Sequence, residues 1–218
     1  EFGVFKNVVN AGGKIRGIAA KGCLDFTRKQ IDDLTNYVGR YGAKGLVWMR
    51  VKENNEVETQ VGKFFTTEQL NALRDAVHAE NGDMMFFIAG PEKTAATAMG
   101  QLRLEIARIK GLLDPNRREF VWITEFPMFE YSETEGRYMA MHHPFTSPMP
   151  EHLEMMLSGN LKDCKAQAYD LVLNGVEIGG GSIRIHNPEV QEKVFRLLGL
   201  TEEQVQEKFG FFVDAFKF

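Results

Sequence analysis

Hydrophobic positions in the first half of the chain switch between strand-like and helix-like spacing. Val-Phe-Lys-Asn-Val-Val at 4–9 reads as a short strand, and Gly12-Gly13 marks a turn before a second strand at 14–19. Thr27 followed by Gln30 has the signature of a capping box, and Ile31, Leu34, Tyr37 and Val38 recur behind it at helical spacing until Gly42. Residues 45–51 are again β-prone, whereas 53–60 are polar and turn-like. The capping pattern returns at Thr66 and Gln69, ahead of Leu70, Leu73, Ala76 and Val77, with Asn81-Gly82 as the stop. Met84 to Ala89 is an unbroken apolar run of strand length. After Gly90-Pro91, the positions Ala95, Met99, Leu102 and Ile106 predict a long helix over 92–112.

Asp114-Pro-Asn-Arg-Arg is the clearest boundary, because proline stops the helix and polar residues suit a connection between domains. Beyond it the pattern becomes strand-rich, at 120–126, 137–142, 166–173 and 176–186. Asn187-Pro188 supplies an N-cap and a first-turn proline for a helix to about 198, and Thr201-Glu-Glu-Gln starts another to about 208. Met155-Met156 and Phe209, Phe211, Phe212 and Phe216 are assigned to packing. The expected fold class is α+β, the second half being an antiparallel sheet with helices on one side.

Composition narrows the picture. A chain of 218 residues with 44% hydrophobic content can build substantial cores. A net charge of -4 argues against a mainly electrostatic nucleic-acid binder, without excluding a local basic surface. The two cysteines, Cys23 and Cys164, lack metal-ligand spacing and suit a reducing, cytoplasmic setting. No apolar run reaches membrane-spanning length and no signal peptide is evident, so no membrane partner is expected. The opening Glu-Phe-Gly, in place of Met, is expected of a piece cut from a longer polypeptide.

Candidate chemistry gathers between 140 and 187. Asn174-Gly175 between two β-prone runs predicts a two-residue hairpin, pairing Leu173 with Val176, Val172 with Glu177, Leu171 with Ile178 and Asp170 with Gly179. Paired residues share a face, so Asp170, Val172 and Glu177 lie on one side. The two carboxylates either hold a cation, such as a magnesium ion carrying a nucleotide phosphate, or stand solvated on an open sheet. Arg184 lies an odd number of residues from Glu177 and reaches the same face only through a bulge, which Gly179-Gly180-Gly181 could supply. Its guanidinium either grips a small carboxylate bidentately or forms an internal salt bridge to Asp170 or Glu177. His142 and His143 are adjacent, so in a strand they face opposite ways and only one serves a site. His152, His186 and His78 are scattered and show no zinc-type spacing. No P-loop, dinucleotide fingerprint or nucleophile elbow occurs, and no catalytic nucleophile is assigned.

Three segments resemble a known family: Phe126-Pro-Met-Phe-Glu130; Ala140-Met-His-His-Pro-Phe-Thr-Ser-Pro148; and Tyr169-Asp170 leading to Glu177-Ile-Gly-Gly-Gly-Ser-Ile-Arg-Ile-His-Asn187. They are similar to bacterial aspartyl-tRNA synthetases of class II. Gly42-Ala-Lys-Gly-Leu46 and Gly82-Asp-Met-Met-Phe-Phe87 resemble the GAD insertion domain of those enzymes. The resemblance implies residues 1–10 as a catalytic-domain edge strand, 11–115 as a GAD-like insertion, and 116–218 as part of a class II antiparallel sheet with flanking helices. It implies a cytoplasmic aminoacyl-tRNA synthetase, a ligase that activates L-aspartate with ATP and Mg2+ and transfers it to tRNA(Asp), homodimeric at full length. By the same resemblance His142 and Arg184 bind aspartate, Glu177 binds ATP, and Asp170 and Glu177 lie at the metal. The family's anticodon-binding barrel, its dimer-forming motif and both of its ATP-clamping arginine motifs have no counterpart in these residues, so the chain alone is expected to be inactive. The alternative expectation is a non-catalytic module that binds tRNA or protein.

Overall fold

Threonine caps set three of the helix starts. In a computed structural model, which describes residues 2–215, Thr27, Thr66 and Thr201 each accept from the backbone N–H three residues on. In each box the glutamine at that position bonds back to the threonine N–H. Such reciprocal bonds satisfy two donors that a helix start otherwise leaves orphaned. The chain divides into two compact units, Glu1–Pro115 and Asn116–Phe218.

The first unit is a four-stranded antiparallel sheet covered on both faces. Its elements are α1 (Gly3–Asn10), β1 (Lys14–Ala20), α2 (Arg28–Gly39), β2 (Val47–Val51), β3 (Val57–Thr59), α3 (Thr67–Ala76), β4 (Met84–Gly90) and α4 (Glu92–Ile109). Strand order is β1-β4-β2-β3. The apolar run 84–88 is central and buried on both sides, as an unbroken hydrophobic strand requires. Met84, Phe86 and Ile88 pack with Ile31, Leu34 and Val38 of α2 and Ala95, Leu102 and Ile106 of α4. Met85 and Phe87 face the other way, onto Phe5, Met49 and Val51.

The strand expected at 4–9 is instead helix α1. Valine content suggested β structure, but Phe2, Phe5 and Val8 recur every three residues, and Phe2 and Phe5 pack onto the sheet of the first unit. Phe5 lies 4.9 Å from Phe2 and 6.3 Å from Phe87, ring centre to ring centre. Residues 3–10 therefore belong with the first unit and are not an edge strand. The polar stretch 53–60 contains β3, which pairs Val57 with Val51 and Thr59 with Met49.

The second unit contains β5 (Phe120–Thr124), β6 (Phe129–Ser132), β7 (Arg137–Ala140), α5 (Leu153–Leu157), β8 (Ala168–Leu173), β9 (Val176–Ser182), α6 (Pro188–Leu197) and α7 (Glu202–Asp214). A sheet ordered β5-β8-β9 is joined by the separate β6–β7 hairpin. The core gathers Met128, Phe129, Met156, Cys164, Ala168, Ile185 and Val194. Phe145 adds an aromatic stack, 4.4 Å from Phe212 and 5.8 Å from Phe195. Phe211 departs from its expected packing role and is 81% exposed. Phe216 lies outside the described residues. Sequence periodicity missed β6 and α5, which are too short for either period to register.

Candidate functional site

The β8–β9 hairpin turns at Asn174 and Gly175, with φ of 50° and 84°, the left-handed pair that a type I′ turn requires. Its first two pairs fall where turn chemistry puts them, Leu173 with Val176 and Val172 with Glu177. There the register shifts. Leu171 pairs with Gly179, Asp170 with Gly180, Tyr169 with Gly181 and Ala168 with Ser182. The expected pairs Leu171–Ile178 and Asp170–Gly179 do not form, because Ile178 is the extra residue of a bulge.

That bulge decides who shares the site. Before it, Glu177 faces the same side as Val172 and Asp170; after it, Gly180, Ser182 and Arg184 do. A parity break between Glu177 and Arg184 is thus present, one residue ahead of the glycine triplet where it was expected. A cleft of about 280 Å³ is lined by Asp170, Glu177, Arg184, His142, His143 and Thr146, with Gly180 and Ser182 at its floor. All four residues singled out by sequence, His142, Arg184, Glu177 and Asp170, border this one space.

The glycines serve the carboxylate directly. A Cβ on Gly180 would stand 2.4 Å from Asp170 Oδ1, so the aspartate occupies the volume that any side chain there would take. On the opposite face a Cβ on Gly181 would meet the Tyr169 hydroxyl at 2.9 Å. Among the described residues, no ion pair within 4.0 Å joins Arg184 to Asp170 or Glu177. The guanidinium is exposed and faces the cleft. Two carboxylates and a cation lining one cleft match a ligand of mixed charge.

Both histidines of the pair reach this cleft, contrary to the expectation that only one would. Strand β7 ends at Ala140, so His142 and His143 sit in the following turn, where alternation of faces no longer applies. His142 stands edge-on to Phe126 at 4.8 Å. His143 stacks on Phe145 at 4.9 Å, and its Nδ1 accepts from the Phe145 N–H at 3.3 Å. Although much of its surface meets solvent, partial burial of the ring, and secondarily Arg184, lower its pKa below the ordinary histidine value. With Nδ1 as acceptor of that bond, Nε2–H is the donor of the neutral ring.

The turn is held against the extension of β9. Ser147 N–H donates to Ile183 O, Ile185 N–H to Phe145 O, and Thr146 bridges Arg184. Thr146 and Ser182 were not singled out by sequence, since lone hydroxyls carry no spacing signal; their oxygens lie 3.4 Å apart in the cleft. Of the remaining histidines, His152 Nδ1 accepts from Lys165 N–H at 3.0 Å and is structural. Among the described residues no cluster of three or more His, Cys, Asp or Glu is arranged around a metal. Asp170 and Glu177 as a pair still suit a hard divalent cation such as Mg2+, which takes one or two carboxylates and completes its shell with water and phosphate oxygens.

Residues 21–218 match the family model of class II tRNA synthetases specific for D, K and N. The chain belongs to this family. It is 50% identical over 218 residues to the aspartate-tRNA(Asp/Asn) ligase of Desulfatibacillum aliphaticivorans, all of the chain against 36% of that protein. It is 48% identical over 217 residues to the aspartate-tRNA ligase of Ruminiclostridium cellulolyticum, again 36% of its length. The aspartate-tRNA ligase of Staphylococcus carnosus is 47% identical over 219 residues, 37% of its length. The chain thus spans little more than a third of these class II synthetases.

Proposed function

We propose that the chain is part of an aspartate-tRNA ligase, which activates L-aspartate with ATP and transfers it to tRNA(Asp). The observation that carries this reading is the single cleft that joins Arg184 to Asp170, Glu177 and the two histidines in a member of this family. In this reading Arg184 receives the side-chain carboxylate of aspartate, because a planar guanidinium pairs with a carboxylate through two parallel hydrogen bonds. His142, in the same cleft, contacts the amino acid. Glu177 contacts ATP, and Asp170 and Glu177 would hold Mg2+ carrying nucleotide phosphate. Bound there, the ion neutralises phosphate charge. The protein's own share is to align the attacking carboxylate and the α-phosphate, and no side chain acts as a nucleophile.

The remaining parts of the reading follow from the same resemblance. Residues 11–115 form the GAD-like insertion and 116–218 part of the catalytic domain. The full-length ligase is a cytoplasmic homodimer. The 218 residues alone are expected to give no aspartate-dependent ATP–pyrophosphate exchange, since the clamping arginines lie elsewhere in such enzymes.

Calorimetric titration with L-aspartate and Mg-ATP tests the site, on this chain and on a chain of the relatives' full length. Substituting Arg184→Gln is expected to weaken aspartate binding by roughly 10- to 100-fold, the worth of a charge-assisted bond, while sparing Mg-ATP. Equal aspartate affinity in the variant would refute the assignment of Arg184, and exchange activity by the 218 residues alone would refute their expected inactivity.

A further inference from the structure

Among the described residues, the buried polar side chains of the second unit are Thr146 and Gln191, each 2% exposed. Thr146 belongs to the His-His-Pro turn itself. Gln191 reaches that turn from α6, and its Nε2 donates to the Pro144 carbonyl at 2.9 Å. Its other amide atom, Oε1, is buried without a partner. A residue present only to fill volume would carry no amide, because a half-satisfied polar group in a core is less stable than an apolar one of the same shape.

The rest of the turn shows what this bond supplies. After Pro144 the chain is pinned to residues 183–185 through Phe145 and Ser147. Before it, the last backbone tie is Met141 N–H to Met128 O at 3.0 Å. Between these anchors lie His142, His143 and Pro144; among the described residues, the hydrogen bond that reaches them from outside the turn is the one from Gln191, beside the edge-on ring contact of Phe126 with His142. Its own helix is anchored by the Asn187 side chain, which accepts from Glu189 N–H and Val190 N–H. The bond therefore couples α6 to the backbone that carries both imidazoles of the cleft.

We infer that Gln191 is a positioning residue for the amino-acid subsite: by holding the Pro144 carbonyl it sets where the His142 and His143 rings stand relative to Arg184. It acts through the turn and touches no ligand. The structural part of the inference stands by itself, and only its effect on aspartate rests on the function proposed above.

Gln191→Met keeps length and apolar volume but removes the donor. In long-range 1H–15N spectra the His142 and His143 ring resonances are expected to move, with those of His78 and His152 unchanged. Aspartate affinity is expected to fall roughly tenfold, as when an oriented contact loses its support. Mg-ATP affinity is expected to stay within about twofold. Unmoved histidine resonances, or aspartate and Mg-ATP affinities falling together, would overturn the inference. Gln191→Leu serves as the second variant with the same expectations. In the unsubstituted chain the Gln191 side-chain amide protons are expected to exchange slowly, and fast exchange would overturn the inference even if both variants failed to fold. A chain of the relatives' full length that binds no aspartate would refute the proposed function, while the ring resonances would still decide the role of Gln191.

Discussion

Asp170 and Gly180 illustrate how little room the cleft leaves for change. The carboxylate lies over the glycine Cα, so Gly180→Ala would push Asp170 aside without disturbing any apolar contact. Mg-ATP binding is expected to weaken in this variant while aspartate binding and thermal stability persist, measurable by titration and calorimetry. The two thiols show the opposite situation. Cys23 and Cys164 are 0% and 1% exposed, and burial pushes the Cys164 pKa up to about 11 and raises that of Cys23. Neither is expected to react with a thiol reagent at neutral pH until the protein unfolds, and prompt labelling of the native chain would contradict this.

At the scale of elements, Asp83 ties the start of β4 to two loops. Its Oδ1 accepts from Gly22 N–H at 2.9 Å and its Oδ2 from Glu80 N–H at 2.8 Å, and Lys21 Nζ lies 3.0 Å away. Burial alone would raise its pKa, but the two backbone donors and Lys21 outweigh that and hold it below the ordinary aspartate value. The ionised form is thus the one favoured by folding. Its contribution is present above the ordinary value of 3.8 and is lost as pH falls below that toward the lowered folded value. Asp83→Asn is expected to cost on the order of 1–3 kcal/mol at neutral pH, by leaving a donor unmatched. Denaturant melts at several pH values should then show a flatter acid limb than the parent chain. The capping boxes at Thr27, Thr66 and Thr201 were readable from sequence at this scale because donor and acceptor sit three residues apart. Strand β3 was not, since its pairing partner is β2 and its own residues are polar.

For the whole molecule, the first unit carries two complete apolar clusters of its own, one on each side of β4. Residues 1–115 expressed alone are therefore expected to fold and to unfold in one cooperative transition, with slow amide exchange at Met84 to Ile88. A non-cooperative melt would contradict this. The second unit has its own core, yet Phe120, Val121 and Trp122 of β5 remain 60, 50 and 59% exposed. In a chain covering 36% of its relatives, an apolar strand left this bare is an aggregation liability when the unit is handled alone.

Sequence by itself determined what depends on neighbours along the chain: the capped helices, the apolar central strand, the Asn174-Gly175 turn, and a carboxylate pair on one face. It also held enough motif to indicate the family. Only tertiary structure decided the rest. A helix at 3–10 in place of a strand follows from the ring contacts of Phe5, and the bulge at Ile178 from pairing with β8. His142 and His143 both reach one cleft because β7 ends at Ala140, which released them from strand alternation. Gln191 gave no signal in sequence, since its bond spans 47 positions to Pro144. A local pattern specifies a residue's spacing, but which side chains meet across such a distance is settled by packing.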